Sequence, residues 1–212
     1  MSAAATTNAK KHNDNGMTPL PMALLPLLIL FVATLVLFWL TQKGVGATTT
    51  YWEFFLPVVA VVSLISGWSQ SYVSNNNRVW YLVRQIVNWG AIIGLLYILN
   101  TQGYRELMND QQYTGLVIYL LALGTVLAAI QMDIKMVFFA VFLVYCAFLV
   151  AVPTNNPTLA GVGNFMNISD PQNKPMLVSS LLALAGFAAS LFVVLMMRGA
   201  VIAKRASKKR RK

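Results

Sequence analysis

Six apolar runs, each close to the length needed to cross a lipid bilayer, leave this chain few choices of fold. The first, PLPMALLPLLILFVATLVLFWL at positions 19–40, has about 22 residues where about 20 suffice for a hydrocarbon core of roughly 30 Å. Five more are expected at about 51–73, 79–99, 113–130, 136–152 and 176–197. In lipid, every backbone N–H and C=O must be satisfied within its own segment or a closed barrel, so runs of this length read as helices. The expected fold class is an all-α polytopic membrane protein, a six-transmembrane-helix bundle over 19–197. A flexible polar arm at 1–18 precedes the bundle and a basic cytoplasmic tail at 198–212 follows it.

Composition agrees. Only 10% of the 212 residues are charged and 58% are hydrophobic, whereas soluble domains carry about a quarter charged residues. A cleaved signal peptide is the alternative for the first run, because Lys10 and Lys11 precede it and VGA at 45–47 loosely suits cleavage. A signal h-region has about 7–15 residues, so this longer run reads as a helix. Its prolines, Pro19, Pro21 and Pro26, fall in the first part of the helix, where proline is best tolerated. The fourth and fifth runs are joined only by QMDIK and must form a tight antiparallel hairpin. The longest connection, PTNNPTLAGVGNFMNISDPQNKP, is rich in Pro, Asn and Gly and reads as a surface loop.

Two signals set the orientation. With both termini inside, the cytoplasmic segments hold Lys10, Lys11, Arg78, Lys135 and the whole tail, against Lys43, Arg105 and Lys174 outside. Aromatic belts point the same way, with Trp39, Tyr51, Trp52, Tyr97 and Tyr113 at the outer interface and Trp68, Tyr72, Trp80 and Tyr81 at the inner one.

The third run carries the most informative polar residues, in RQIVNWGAIIG. At 100° per residue, Arg84 and Asn88 share a face, Gln85 lies at its edge, and Gly90 and Gly94 point nearly opposite. Arg84 lies near the cytoplasmic end of its helix and can snorkel to headgroups. The functional alternative is a polar face, Arg84, Gln85 and Asn88, for a lipid headgroup, an anionic ligand or a partner helix. Gly90 and Gly94 form a GxxxG groove for close helix packing, expected first within the chain and otherwise as an association face. Ser63, Gly67 and Ser71 in the second run, and Ala185, Gly186, Ala189 and Ser190 in the sixth, are its expected counterparts. Helix 3 is accordingly expected at the centre of the bundle.

The chain's chemistry is sparse. A single cysteine, Cys146, rules out an intrachain disulfide or CxxC motif, and a single histidine, His12, argues against a His-based metal site. No Ser/His/Asp set, HExxH or phosphate-cradling loop occurs, so no catalytic residue, cofactor or metal is expected. Glu53 reads as a hydrated boundary carboxylate. No span carries Asp, Glu or Lys near its middle, which counts against an ion-coupled transporter.

Half of the 16 basic residues lie in the tail, as Arg198, Lys204, Arg205, Lys208, Lys209, Arg210, Arg211 and Lys212; the rest of the chain carries eight basic and six acidic residues. Such a juxtamembrane cluster is attracted to anionic lipid by about 1 kcal/mol per basic residue, or to an acidic partner. Without interleaved aromatic residues it does not suggest nucleic acid. Asn167-Ile168-Ser169 is a sequon and KKRRK resembles an ER-retention signal, but the short arm and compact loops favour a bacterial inner membrane over an ER membrane. The function expected is a non-enzymatic subunit that contacts membrane lipids and packs with other membrane proteins. The alternative is a small transport component, or a binding subunit for a hydrophobic or lipidic substrate.

Overall fold

The computed structural model describes residues 20–44, 48–74, 78–131 and 134–210, with side chains at all of these except 22–23, 67–74, 78, 81 and 201–210. The described residues are almost all helical, with no strand among them. In chain order the helices are α1 Leu20–Gln42, α2 Thr48–Ser74, α3 Arg78–Thr101, α4 Tyr104–Leu107, α5 Asp110–Gln131, α6 Met136–Ala151, α7 Pro157–Phe165 and α8 Pro175–Arg210; a 3-10 turn, Pro171–Asn173, precedes α8. Five of them contain segments long and apolar enough to cross a membrane: Leu24–Gln42, Thr48–Ser66, Leu82–Thr101, Asp110–Gln131 and Pro175–Ala200. The remaining expected span, the fifth in chain order, is α6, which is apolar throughout but has only 16 residues. The polar arm at 1–18 lies outside the described residues.

α5 and α6 form the core, packed antiparallel so that Gly115 near the start of α5 meets Ala147 and Ala151 near the end of α6. A Cβ at Gly115 would lie 3.2 Å from that of Ala151. Around this pair runs a curved row, α3–α2–α1–α8, with α3 and α2 against α5 and with α1 and α8 against α6. Small residues spread around α5 and α6, including Ala122, Ala128, Ala129, Ala140 and Ala147, allow neighbours on several sides, and all five are buried. α3 sits at one end of the row, which corrects its expected central position. Its outward side carries Val83, Ile86, Val87 and Tyr97, all exposed apolar or amphipathic side chains suited to lipid or another membrane protein.

Aromatic contacts join the other end. Phe31 of α1 meets Phe139 and Phe142 of α6 at 5.2 and 5.4 Å, and Phe187 of α8 at 6.2 Å. Gly186 lets α8 approach, since a Cβ there would lie 3.3 Å from the Phe31 ring. Ser190 donates to the carbonyl of Lys135 at 3.0 Å. These small residues of α8 therefore seat α1 and α6, not α3 as expected.

The segment expected as a loop is a folded cap. Asn156 stands before Pro157, a favoured N-cap and N1 pair, and its Oδ1 accepts from the backbone N–H groups of Thr158 and Leu159. Its Nδ2 donates to the carbonyls of Phe148 and Val152, both at 2.8 Å, tying α7 to the end of α6. Gln172 donates to the Asn156 carbonyl at 2.8 Å, and Gly163 leaves room for Pro171 to stack on α7. Another difference concerns the last helix: α8 continues without interruption past residue 197 to Arg210.

Candidate functional site

The polar residues singled out in α3 divide between two environments. Gln85 is 1% exposed and its Nε2 donates to Oε1 of Gln131 in α5 at 3.1 Å. Asn88, half-buried, donates to the carbonyl of Gly124 in α5 at 3.4 Å. One residue on, Trp89 donates to Oγ of Ser63 in α2 at 2.8 Å, and Ser63 donates in turn to the Ala60 carbonyl. Gln85, Asn88 and Trp89 thus form a polar seam joining α3 to α5 and α2. Arg84 is not part of it. It is exposed, one turn from the exposed Trp80, near the end of the apolar segment, where its guanidinium can reach headgroups.

The close approach comes from a glycine the sequence reading passed over. A Cβ at Gly124 would stand 2.6 Å from Ile92 Cδ1 and 2.8 Å from the Trp89 ring, so α3 lies directly on α5 there. Gly90 and Gly94, by contrast, have open space: among the described residues nothing lies within 4 Å of a Cβ built at either. This corrects the expectation that they seat a neighbouring helix of the same chain. The reason is angular, because the inward face of α3 is the one that carries Gln85, Trp89 and Ile92, and the glycines lie opposite. Of the expected α2 ladder, Ser63 does meet α3, through Trp89; the surroundings of Gly67 and Ser71 lie outside the described side chains, as do those of Lys204, Arg205, Lys208, Lys209 and Arg210, while Arg211 and Lys212 lie outside the described residues.

A second polar cluster ties the opposite ends of the helices. Thr49 and Thr114 share a hydrogen bond of 2.7 Å between α2 and α5, and Trp52 donates to Thr41 of α1 at 3.0 Å. Arg105 of α4 pairs with Glu53 at 3.7 Å and lies over the Tyr113 ring, 5.7 Å from its centre. Among the described residues Glu53 Oε1 and the Tyr113 hydroxyl are buried without hydrogen-bond partners, while the Glu53 side chain as a whole stays 21% exposed and is paired with Arg105. Trp52 and Tyr113, expected in an aromatic belt, are wholly inside the bundle, while Trp39, Tyr51 and Tyr97 of the same expected belt are exposed.

One groove opens on the apolar flank, between α1 and α2. It is shallow and open, with a volume of about 470 Å³, and is lined by Val36, Leu40, Tyr51, Phe54 and Val58 among others. Among the described residues no three His, Cys, Asp or Glu side chains gather into a group that could hold a metal ion. Compared with protein-family models, curated proteins and solved structures, the chain matches none.

Proposed function

We propose that this chain is a non-enzymatic integral membrane subunit that packs with other membrane proteins to stabilise or organise a larger complex. One observation carries the reading: α3 presents Gly90 and Gly94 on a face that no other part of the described chain covers. In lipid, helix association depends on close van der Waals packing, which small residues permit, so a bare glycine face within a span is suited to a partner helix. The polar side of the same helix is already occupied by α5 and α2.

The topology proposed with it has six spans, both termini cytoplasmic, in a bacterial inner membrane. α6 is the fifth of them in chain order and the shortest. At about 1.5 Å per residue it is near 24 Å long, and a short span is accommodated when neighbouring helices cover it. Lys43, Arg105 and Lys174 gather at one end of the helices, away from Arg78, Lys135 and the basic end of α8, which supports this orientation.

The test is purification from native membranes in mild detergent. Recovery of a defined assembly with other membrane proteins is the expected result; a monodisperse monomer without a stable partner contradicts the reading. The groove between α1 and α2 favours a second reading, a binding subunit for a lipidic substrate. On that reading Ala33→Trp, which fills the groove, abolishes lipid retention in the folded protein. Asn88 has no place on such a pathway, since it is engaged with Gly124.

A further inference from the structure

The unbroken course of α8 gives its basic end a position that a flexible tail would not have. Its apolar segment, Pro175–Ala200, has 26 residues and reaches about 39 Å, close to the 40–45 Å of a whole bilayer including headgroups. The helix then continues to Arg210, about 15 Å farther. Attraction to a charged membrane surface falls off within about 8 Å at physiological ionic strength, so positions 208–210 stand beyond most of it.

The periodicity of this extension is one-sided. At 100° per residue, positions 204, 205, 208 and 209, all Lys or Arg, fall within an arc of about 140°, which at the membrane end also takes in Val201. Positions 199, 200, 203, 206 and 207, all Gly, Ala or Ser, take the other side, together with Arg210. No acidic residue occurs from Pro175 to Lys212, and Lys204–Lys208 and Arg205–Lys209 are like-charge pairs at i, i+4, which repel. Nor does the rest of the chain supply many carboxylates there. Of its six acidic residues, Glu53, Glu106, Asp110 and Asp170 lie at the opposite end of the helices. Asp14 and Asp133 are outside the described residues.

We propose that the end of α8 is a rigid basic stalk that docks an acidic segment of a partner protein beyond the headgroup layer. The inference rests on the reading of this chain as a complex subunit and specifies the chemistry of one partner. A second helix fits the geometry: cations at i, i+3 and i+4 match carboxylates at the same spacing along its facing side. Nucleic acid would be gripped through phosphates alone, without the aromatic residues on which single-stranded bases stack.

The test uses the full chain in nanodiscs with Ser207→Cys as a reporter; the native Cys146 is wholly buried and stays silent. A membrane-impermeant maleimide is expected to label position 207 at the same rate in phosphatidylcholine as in phosphatidylcholine–phosphatidylglycerol discs. Oligoglutamate is expected to protect it, and K208E together with K209E to weaken that protection about tenfold. Ala203→Pro keeps every charge but breaks the helix, and is expected to weaken it about fivefold. Labelling slowed only in anionic discs means the extension lies on lipid and overturns the proposal. Protection by polyuridylate but not by oligoglutamate, or by neither, also overturns it, and unchanged affinity in Ala203→Pro overturns the rigid stalk. Because the assay uses the isolated chain, its failure alongside a captured complex leaves the subunit reading standing; success without any complex does the reverse.

Discussion

Asn88 and Gly124 mark where α3 rests on α5: the Asn88 amide lies 3.4 Å from the Gly124 carbonyl, at the point where α5 has no side chain to hold α3 away. The contact separates two kinds of glycine in this bundle, one consumed by packing inside the chain and one left open at its surface.

Gly124→Ala is expected to destabilise the protein by about 1–3 kcal/mol, the usual range for overpacking, because the Trp89 ring it meets is held by Ser63. Gly90→Ala and Gly94→Ala, which meet nothing, should not destabilise the isolated chain and should gain up to about 1 kcal/mol from the helix preference of alanine. Thermal unfolding of the three purified variants in one detergent checks the contrast.

The polar seam should matter less than the packing it accompanies. Hydrogen bonds between membrane helices average about 0.6 kcal/mol, with about 1.7 at most, because the unfolded chain in the membrane also finds partners. Asn88→Ala and Trp89→Phe are therefore each expected to cost less than Gly124→Ala in the same unfolding measurement.

At the cap, one side chain serves both α6 and α7. Asn156→Ala removes the Asn156 side-chain bonds to Phe148, Val152, Thr158 and Leu159, with a helix cap alone usually worth about 0.5–2 kcal/mol. Faster proteolysis within 153–174, with the helices of the bundle still resistant, is the expected outcome of limited digestion.

Arg105 and Glu53 should respond unequally to substitution. Arg105→Ala leaves a carboxylate with a buried oxygen unpaired, whereas Glu53→Gln leaves a neutral amide and an exposed enough guanidinium to rehydrate. Arg105→Ala is expected to lower the unfolding temperature more, and the double variant to recover part of the loss.

Much of this was legible in the sequence, because apolar length directly reports a helix that must satisfy its backbone in lipid. The expected and observed helix limits agree within a few residues through Ala151. The two faces of α3 were also readable at 100° per residue, but their roles were not. Whether Gly90 or Gln85 faces inward depends on what α5 offers, and Gly124 looks no different in sequence from any other small residue. The α7 cap had a local signal in Asn156-Pro157, outweighed by a composition that suggests loop. The extension of α8 had conflicting signals, since Ala, Lys and Arg favour a helix while like charges four residues apart oppose one.

Photocrosslinking at position 87 in native membranes tests the central claim most directly. Val87 lies on the outward face of α3 between Val83 and Gly90 and is 64% exposed. With benzoylphenylalanine in its place, a discrete adduct to another protein is expected, and its yield should fall when Gly90→Leu is added. Adducts to lipid alone would contradict the account, as would a protein adduct indifferent to Gly90→Leu.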